Sequence, residues 1–287
     1  MDTGKISKDI QTQWAGRSIA FFEEIDSTNI MAGALAEQGA PEGTLVLADH
    51  QTGGKGRRGR QWFSPAGTGI WMTLLLRPEL SPERISAITL VAALSVGKAI
   101  HQVTGLDTGI KWPNDLVVDG KKVCGILTEM RFVPGSSPYV LLGIGINVNQ
   151  TEFPADLPHA YSLRMALEKR GVSDQVGLLE RRRDTDRMTI TGEDIRERII
   201  AAFCTYFEND YETYLQSGDM RLLKREYEEN LTNLNREVQV LAPSGSWLGV
   251  AEGISDTGDL LVRDEAGVLQ TVNSGEVSVR GVYGYAE

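Results

Sequence analysis

The sequence has few of the residues that build disulfide frameworks or zinc sites. Only two cysteines, Cys124 and Cys204, and three histidines occur in 287 residues, so neither a disulfide scaffold nor a His/Cys metal site is expected. The N-terminus lacks the apolar core of a signal peptide, and no uninterrupted run of about 18 apolar residues occurs. These absences predict a protein of the reducing cytoplasm with no membrane partner.

Basic residues are outnumbered in this chain. The 29 Lys and Arg residues face 39 Asp and Glu residues, and the formal net charge is -10. A protein that wraps a nucleic-acid backbone needs a broad basic face, so this balance argues against DNA as a partner. The cations concentrate around Lys55 to Arg60, which fits a site for one small anion.

Three polar clusters stand out within apolar surroundings. Residues 51–62 form a basic glycine-rich loop with four glycines and four cations, where backbone N–H groups can approach an anionic ligand. The second cluster is 111–115 with 122–127, and the third is 143–149. Each has a plain structural reading when taken alone, as a solvated loop, a capped turn or a glycine-rich strand. Their combination predicts one assembled site.

Hydrophobic periodicity and turn residues predict alternating strands and helices. Strands are expected at 19–25, 44–48 and 70–76 and between 108 and 149, and helices at 30–38, 82–103, 161–170, 193–215 and up to 230. Asp119-Gly120 has the composition of a hairpin turn. The charge run within 171–190 predicts a mobile surface insertion. Short strands after residue 235 predict a small barrel of about five strands.

Five motifs in order resemble those of the biotin protein ligases over about residues 18–281. They are Asp26-Ser27-Thr28-Asn29, the basic glycine loop, Lys-Trp-Pro-Asn-Asp at 111–115, the 122–127 segment and Gly-Ile-Gly-Ile-Asn at 143–147, and the C-terminal strands follow them. The resemblance implies an α+β fold: a short N-terminal extension (1–16), a class II synthetase-like catalytic domain with a mixed sheet and helices (17–233), and an SH3-like β-barrel (234–287).

The family resemblance also implies the chemistry. Biotin is activated with ATP to biotinyl-5′-AMP and transferred to a lysine of a biotin carrier domain. Charge accumulates as a carboxylate attacks a phosphate, so preorganised cations are needed. The expected catalytic residues are Arg57, Lys111 and Lys122, and Mg²⁺ is expected with ATP, near Asn114 and Asp115.

The binding residues are likewise implied by the resemblance. Biotin contacts are expected from Ser27, Thr28, Asn29, Gln51, Gly54, Lys55, Gly56, Arg57, Lys122 and Gly125. Contacts to ATP or the adenylate are expected from Lys55, Arg57, Arg58, Arg60, Trp62, Lys111, Asn114, Asn147 and Arg280. Five of these residues keep an alternative: Ser27 and Thr28 as a helix cap, Gln51 as an ordinary loop residue, Trp62 as an anchor of the loop, and Arg280 as an ordinary surface charge.

Two features depart from the family pattern. Lys55 stands where arginine is common, and lysine lacks the bidentate fork of a guanidinium group. Fewer than twenty residues precede the first predicted strand, so no winged helix-turn-helix is expected. The alternatives are a lipoate-type ligase, a biotin-responsive regulator and an inactive carrier-binding scaffold. The natural carrier and the oligomeric state, including a homodimer, stay open.

Overall fold

The structure is a computed structural model that describes residues 1–132, 137–171, 195–242, 245–274 and 278–281. The predicted insertion at 171–190 lies outside these ranges except for its first residue. The side chain of Arg280 is also outside the description, although its backbone is included.

A seven-stranded mixed sheet forms the centre of the larger part of the chain. Its strands are β1 (Ser18–Ile25), β2 (Thr44–Gln51), β3 (Gly69–Leu76), β4 (Gly109–Lys111), β5 (Asp115–Val118), β6 (Lys121–Arg131) and β7 (Tyr139–Asn147). Their order is β1-β2-β3-β7-β6-β5-β4. β1 and β2 run parallel, whereas the other neighbours are antiparallel. The predicted mixed sheet is therefore confirmed.

Seven helices accompany the sheet in the described residues. They are α1 (Thr3–Asp9), α2 (Thr28–Glu37), α3 (Pro82–Ile85), α4 (Ile88–Thr104), α5 (Leu163–Lys169), α6 (Ile195–Ser217) and α7 (Lys224–Glu229). The single helix predicted over 82–103 is interrupted at Ser86 and Ala87. The stretch 82–104 is long and apolar enough to cross a membrane by composition alone, but 67% of its most apolar window is buried. It is weak evidence for a span, because the core helix of a globular protein passes the same test.

Strand β3 is buried along its whole length, which shows that the sheet lies inside the larger part of the chain. All eight of its residues are buried, as expected for a strand that is covered on both faces. β6 follows β5 through a tight hairpin at Asp119 and Gly120, whose φ angles are 52° and 71°. Two consecutive left-handed residues fit the predicted two-residue turn.

The N-terminal extension is part of the core, which the sequence did not indicate. Ile6 is fully buried and belongs to the same apolar cluster as α4 and α6. The carboxylate of Glu208 on α6 accepts hydrogen bonds from the backbone N–H groups of Gln13, Trp14 and Ala15 at 2.7, 2.8 and 2.9 Å. These bonds attach residues 13–15 to α6.

The C-terminal part forms a second sheet. Its strands are β8 (Glu237–Ala242), β9 (Gly245–Ile254), β10 (Leu260–Asp264), β11 (Leu269–Val272) and β12 (Ser278–Gly281). They are antiparallel, in the order β11-β10-β9-β8-β12. Five strands were predicted, but a closed barrel is not confirmed. Among the described strands β11 and β12 each pair with one neighbour only, so both remain edges.

Candidate active site

The three polar clusters of the sequence meet at two adjoining cavities. β2 ends at Gln51 and leads into the glycine loop, while β6 and β7 place Gly125 opposite Gly145. The indole of Trp62, which follows the loop, lies against both glycines, and a Cβ atom at Gly125 would come within 2.8 Å of its ring. Glycine is needed at these positions because a side chain would displace the indole.

The first cavity has a volume of about 50 Å³ and is lined by nine of the ten residues predicted to contact biotin. They are Ser27, Thr28, Asn29, Gln51, Lys55, Gly56, Arg57, Lys122 and Gly125. The tenth, Gly54, is not a lining residue. A Cβ atom there would lie 2.7 Å from both Ser64 Oγ and the Trp62 carbonyl oxygen, so its glycine is explained by close packing.

The second cavity is larger, at about 410 Å³, within the range of small-molecule sites. Its walls include Arg57, Arg58, Arg60, Trp62, Lys111, Asn114, Asp115 and Asn147. Lys55 lines only the first cavity. Val279 lines the second cavity beside Arg280, whose own side chain lies outside the described residues.

Several residues that line the second cavity were not predicted from the sequence. Phe63 and Phe153 form an edge-to-face aromatic pair with ring centroids 6.4 Å apart, and both line the cavity together with Asp156 and His159. The segment around Pro154 has no periodicity and no charge cluster. Only the position of Phe63 directly after the basic loop offered a signal.

Five residues line both cavities: Gly56, Arg57, Trp62, Asn114 and Lys122. Lys122 Nζ lies 2.5 Å from Asp115 Oδ1 and 5.1 Å from the centroid of the Trp62 ring. A carboxylate in one cavity and a phosphate in the other would meet beside this ammonium group. The shared wall is therefore where an acyl–phosphate bond could form.

Arg57 is held from two sides. Its Nη1 donates to Asn114 Oδ1 at 3.0 Å, and its Nη2 donates to the backbone carbonyl of Ser274, from the C-terminal sheet region. Burial lowers the pKa of Arg57, and the nearby Asp115 partly offsets this effect.

Asn114 and Asp115 are held by neighbouring residues of the site. Asn114 Nδ2 donates to the Ile126 carbonyl at 2.9 Å while its Oδ1 accepts from Arg57, and Asp115 is paired with Lys122. Within the described ranges, no group of three or more His, Cys, Asp or Glu side chains could hold a metal ion. The expected Mg²⁺ position near Asn114 and Asp115 stays a prediction, because Mg²⁺ bound to ATP needs only one or two protein ligands.

The amide of Asn147 is anchored by its neighbours. It is 3% exposed, its Nδ2 donates to the Tyr161 carbonyl at 3.0 Å, and its Oδ1 accepts from Gln150 at 3.2 Å. These two bonds leave one amide hydrogen unused, and Asn147 lines the second cavity. Lys111 is also buried, at 7% exposure, and lines the same cavity.

The structure decides the alternative for Ser27 and leaves both interpretations of Trp62 open. Ser27 is the N-cap residue of α2, but its side chain makes no capping hydrogen bond, so the helix-cap interpretation of its hydroxyl is wrong. Trp62 packs over the two glycines, and within the described part of the chain its buried Nε1 has no hydrogen-bond partner. This position between the cavities fits the anchor of the loop as well as a wall of the site.

Comparison with known proteins adds independent findings. The biotin/lipoate A/B protein ligase family matches residues 21–147, and the biotin protein ligase C terminal domain matches residues 234–280. Bifunctional ligase/repressor BirA of Bacillus spizizenii is 36% identical over 274 residues, covering 92% of this chain and 77% of BirA. Biotin–[acetyl-CoA-carboxylase] ligase of Paracoccus denitrificans is 31% identical over 266 residues, covering 89% and 98%.

A solved structure shares the architecture. The biotin protein ligase from Aquifex aeolicus in complex with biotin and ATP has a TM-score of 0.73 and 29% sequence identity with this chain. The similarity covers 92% of this chain and 99% of the Aquifex protein.

Proposed function

Because the chain belongs to the biotin/lipoate A/B protein ligase family, we propose that its two joined cavities hold biotin and ATP. The protein is a biotin–[biotin carboxyl carrier protein] ligase. It activates biotin to biotinyl-5′-AMP and transfers biotin to a lysine of the carrier domain of a biotin-dependent carboxylase. The observation that carries the residue assignment is the wall shared by the two cavities, where Lys122 and Arg57 lie.

In the first step, a carboxylate oxygen of biotin attacks the α-phosphorus of ATP. The bond from this phosphorus to the bridging oxygen breaks, and pyrophosphate leaves with that oxygen. Negative charge increases where the two anionic groups meet, so fixed cations lower the barrier. Lys122 and Arg57 supply these cations, and Lys111 adds a third on the side of the second cavity.

In the second step, the neutral amine of the carrier lysine attacks the acyl carbon of the adenylate. The amide bond forms, AMP leaves with the phosphate oxygen, and the proton of the amine passes to solvent. The residues around the second cavity, including Trp62 and Phe153, exclude water from the anhydride. Mg²⁺ enters with ATP as its substrate complex, since this ion commonly binds through phosphates and water.

A lipoate-type ligase is the main alternative within the same family. The first cavity favours biotin, because Thr28, Asn29 and Gln51 place polar atoms at its wall. A ureido ring offers N–H donors and a carbonyl acceptor to such a wall, whereas the dithiolane ring of lipoate offers neither. The lipoate alternative is therefore not favoured.

Further proposals concern the organisation of the chain. We propose a catalytic domain at 17–233 and an SH3-like module at 234–287, to which the C-terminal domain match gives support. The carrier domain is the proposed protein partner. We place the reaction in the cytoplasm, in keeping with two free cysteines that are both buried.

Intact-mass spectrometry tests the function directly. The protein is incubated with MgATP, a purified biotin carrier domain and either biotin or lipoate, and one biotinyl addition to the carrier is expected only with biotin. Lys122→Ala is expected to lower the rate by one to two decades, since a hydrogen bond to a charged group contributes about 1.5–3 kcal/mol.

Lys121→Ala is the matched control for that variant. Lys121 precedes Lys122 on β6 but is exposed, with its Nζ 5.4 Å from the Tyr161 ring, and lines neither cavity. Its loss is expected to leave the rate unchanged. Transfer of lipoate instead of biotin, or equal loss in both variants, would contradict the proposal.

A further inference from the structure

A chain of hydrogen bonds runs behind the first cavity. It joins Glu129 on β6 to Asn29 on α2, then Thr73 on β3, Thr28, Gln51 and finally Ser64. Thr28, Asn29 and Gln51 line the cavity, whereas Glu129 and Thr73 do not. Thr73 is completely buried and is the one polar residue of β3.

Resting on the proposed function, we propose that Thr73 and Glu129 are positioning residues that select the ureido head of biotin. They do so by fixing which atoms at the cavity wall donate hydrogen bonds and which accept them. Neither residue needs to touch the ligand. The direction of each hydrogen bond follows from two groups in this series, one that can only accept a hydrogen bond and one that can only donate one.

The first fixed group is the carboxylate of Glu129. It can only accept, so the Asn29 atom 2.7 Å from its Oε2 must be the donor Nδ2. Asn29 Oδ1 then lies 2.5 Å from the Thr73 hydroxyl and must accept. A hydroxyl has one proton, so Thr73 donates it to Asn29.

The second fixed group is the backbone N–H of Thr28. It can only donate, so the Gln51 atom at 2.8 Å must be the acceptor Oε1. The Thr28 hydroxyl lies 3.1 Å from this oxygen and 2.9 Å from Thr73 Oγ1. Thr73 donates its one proton to Asn29, so it cannot also donate to Thr28. The Thr28 hydroxyl therefore donates its own proton to one of these two neighbours, and its lone pairs can accept a hydrogen bond from a ligand.

The opposite polarity results at Gln51. Its Nε2 donates one hydrogen to Ser64 Oγ at 3.0 Å, which leaves the second N–H to meet a ligand carbonyl. An acceptor at Thr28 and a donor at Gln51 match the N–H and C=O groups of a ureido ring. Without the Thr73 hydroxyl, Asn29 Oδ1 loses its donor and the Thr28 hydroxyl loses one of its two neighbours. Gln51 Oε1, at 3.1 Å, is then the one neighbour in this set that holds the Thr28 proton away from the ligand.

Thr73→Val tests this inference, because valine has nearly the shape of threonine and carries a methyl group in place of the hydroxyl. We expect the Kd for biotin, measured by titration calorimetry, to rise about tenfold, which corresponds to about 1.4 kcal/mol. The KM for ATP is expected to stay unchanged. Thr73→Ser is expected to restore biotin binding, since it returns the hydroxyl.

Two other variants complete the design. Glu129→Leu removes the hydrogen-bond acceptor at the partly exposed end of the series and is expected to weaken biotin binding several-fold. If Thr73→Val does not fold, Glu129→Leu by itself tests the positioning role. Thr104→Val is the matched control, because Thr104 is also buried, at 3% exposure, but donates to the Ile100 carbonyl at 2.7 Å on α4. Its biotin affinity is expected to equal that of the wild type.

The results separate this inference from the proposed function. A wild-type protein with no biotin-dependent pyrophosphate exchange overturns the proposed function. With an active wild type, unchanged biotin affinity in Thr73→Val and Glu129→Leu overturns only the positioning role. A general loss in Thr73→Val, equal for biotin and ATP and not restored by serine, also overturns it, since that pattern reports a damaged core.

Discussion

Arg57 and Lys122 line the same cavities but are held differently. Lys122 is paired with Asp115 on the sheet, while Arg57 bridges from the glycine loop to Asn114 and to the Ser274 carbonyl. Lys122 lies on the rigid sheet, where it can stabilise the charge on the reacting phosphate. Arg57 ties the glycine loop to two other segments, so it can help to keep the loop closed over the adenylate.

We therefore expect Lys122→Ala and Arg57→Ala to fail at different steps. Lys122→Ala should slow biotin-dependent pyrophosphate exchange by one to two decades, from the loss of about 1.5–3 kcal/mol. Arg57→Ala should slow this exchange less, because Lys122 and Lys111 still face the reacting groups, and should mainly increase the free biotinyl-5′-AMP released before transfer. Both quantities can be measured in the same reactions, and equal losses in both assays would show that this division is wrong.

Tyr214 makes the free energy of unfolding depend on pH in the alkaline range. Its buried hydroxyl donates to the Arg84 carbonyl at 2.6 Å, and burial raises its pKa to about 12. Between the unfolded pKa of about 10 and the folded value, the unfolded chain has lost a proton that the folded chain retains. The free energy of unfolding therefore falls as pH rises through this window.

Tyr214→Phe removes that proton. Between about pH 10 and about pH 12, the free energy of unfolding of the variant should fall less steeply with pH, by about 1.4 kcal/mol per pH unit. At neutral pH it should lose about 1 kcal/mol, from the hydrogen bond to Arg84. Urea unfolding at several pH values gives both numbers, and parallel curves for the two proteins would count against the assignment.

At the scale of elements, α6 holds the N-terminal segment through one carboxylate. Glu208→Gln replaces an acceptor oxygen by an amide group facing backbone N–H groups, so at least one buried donor loses its partner. We expect a loss of about 2–3 kcal/mol in urea unfolding. Glu212→Gln is the control, because Glu212 accepts one exposed bond from Trp14 at 3.2 Å and should cost under about 0.5 kcal/mol.

The glycine loop is an element that ligands should order. Its backbone closes through Gly56 N to the Arg60 carbonyl at 2.7 Å and Trp62 N to the Gly54 carbonyl at 2.9 Å. Its four cations repel one another when no anion is bound. Hydrogen exchange at 52–61 should be fast without ligands and slow with biotin and ATP, while β3 stays protected in both states. Slow exchange without ligands would mean a preformed site.

At the scale of the whole molecule, one apolar core joins both sheets. Residues of α1, α4 and α6 share a cluster with Val238 and Leu260 of the second sheet. Hydrogen bonds also cross between the parts, from Trp112 Nε1 to the Gly258 carbonyl at 3.0 Å and from Ile254 N to Glu228 at 2.9 Å. We expect calorimetry to give a single unfolding transition.

A pair of glycine variants tests this coupling. Gly258 and Gly267 both have left-handed φ angles, 89° and 80°, so alanine strains both by about 1–2 kcal/mol. A Cβ atom at Gly258 would also lie 3.0 Å from Leu90 on α4, whereas Gly267 has open space. Gly258→Ala should lower the temperature of the one transition further. Two separate transitions would contradict the shared core.

The sequence by itself determined the local elements and the composition of the site. Apolar runs predicted β1, β2 and β3 because a buried strand needs consecutive apolar residues. The Asp119-Gly120 turn was predicted because few residue pairs adopt left-handed angles easily. The motifs also predicted most residues that line the two cavities, since glycines and cations of the loop are neighbours along the chain.

Only the tertiary structure decided how distant segments meet. Glu208 binds residues almost two hundred positions earlier, Arg57 reaches Ser274, and Phe153 closes the cavity against Phe63. The polarity set by Thr73 and Glu129 likewise depends on three strands and a helix lying side by side. These contacts join residues far apart along the chain, and no local pattern records them because each partner alone looks like an ordinary core or surface residue.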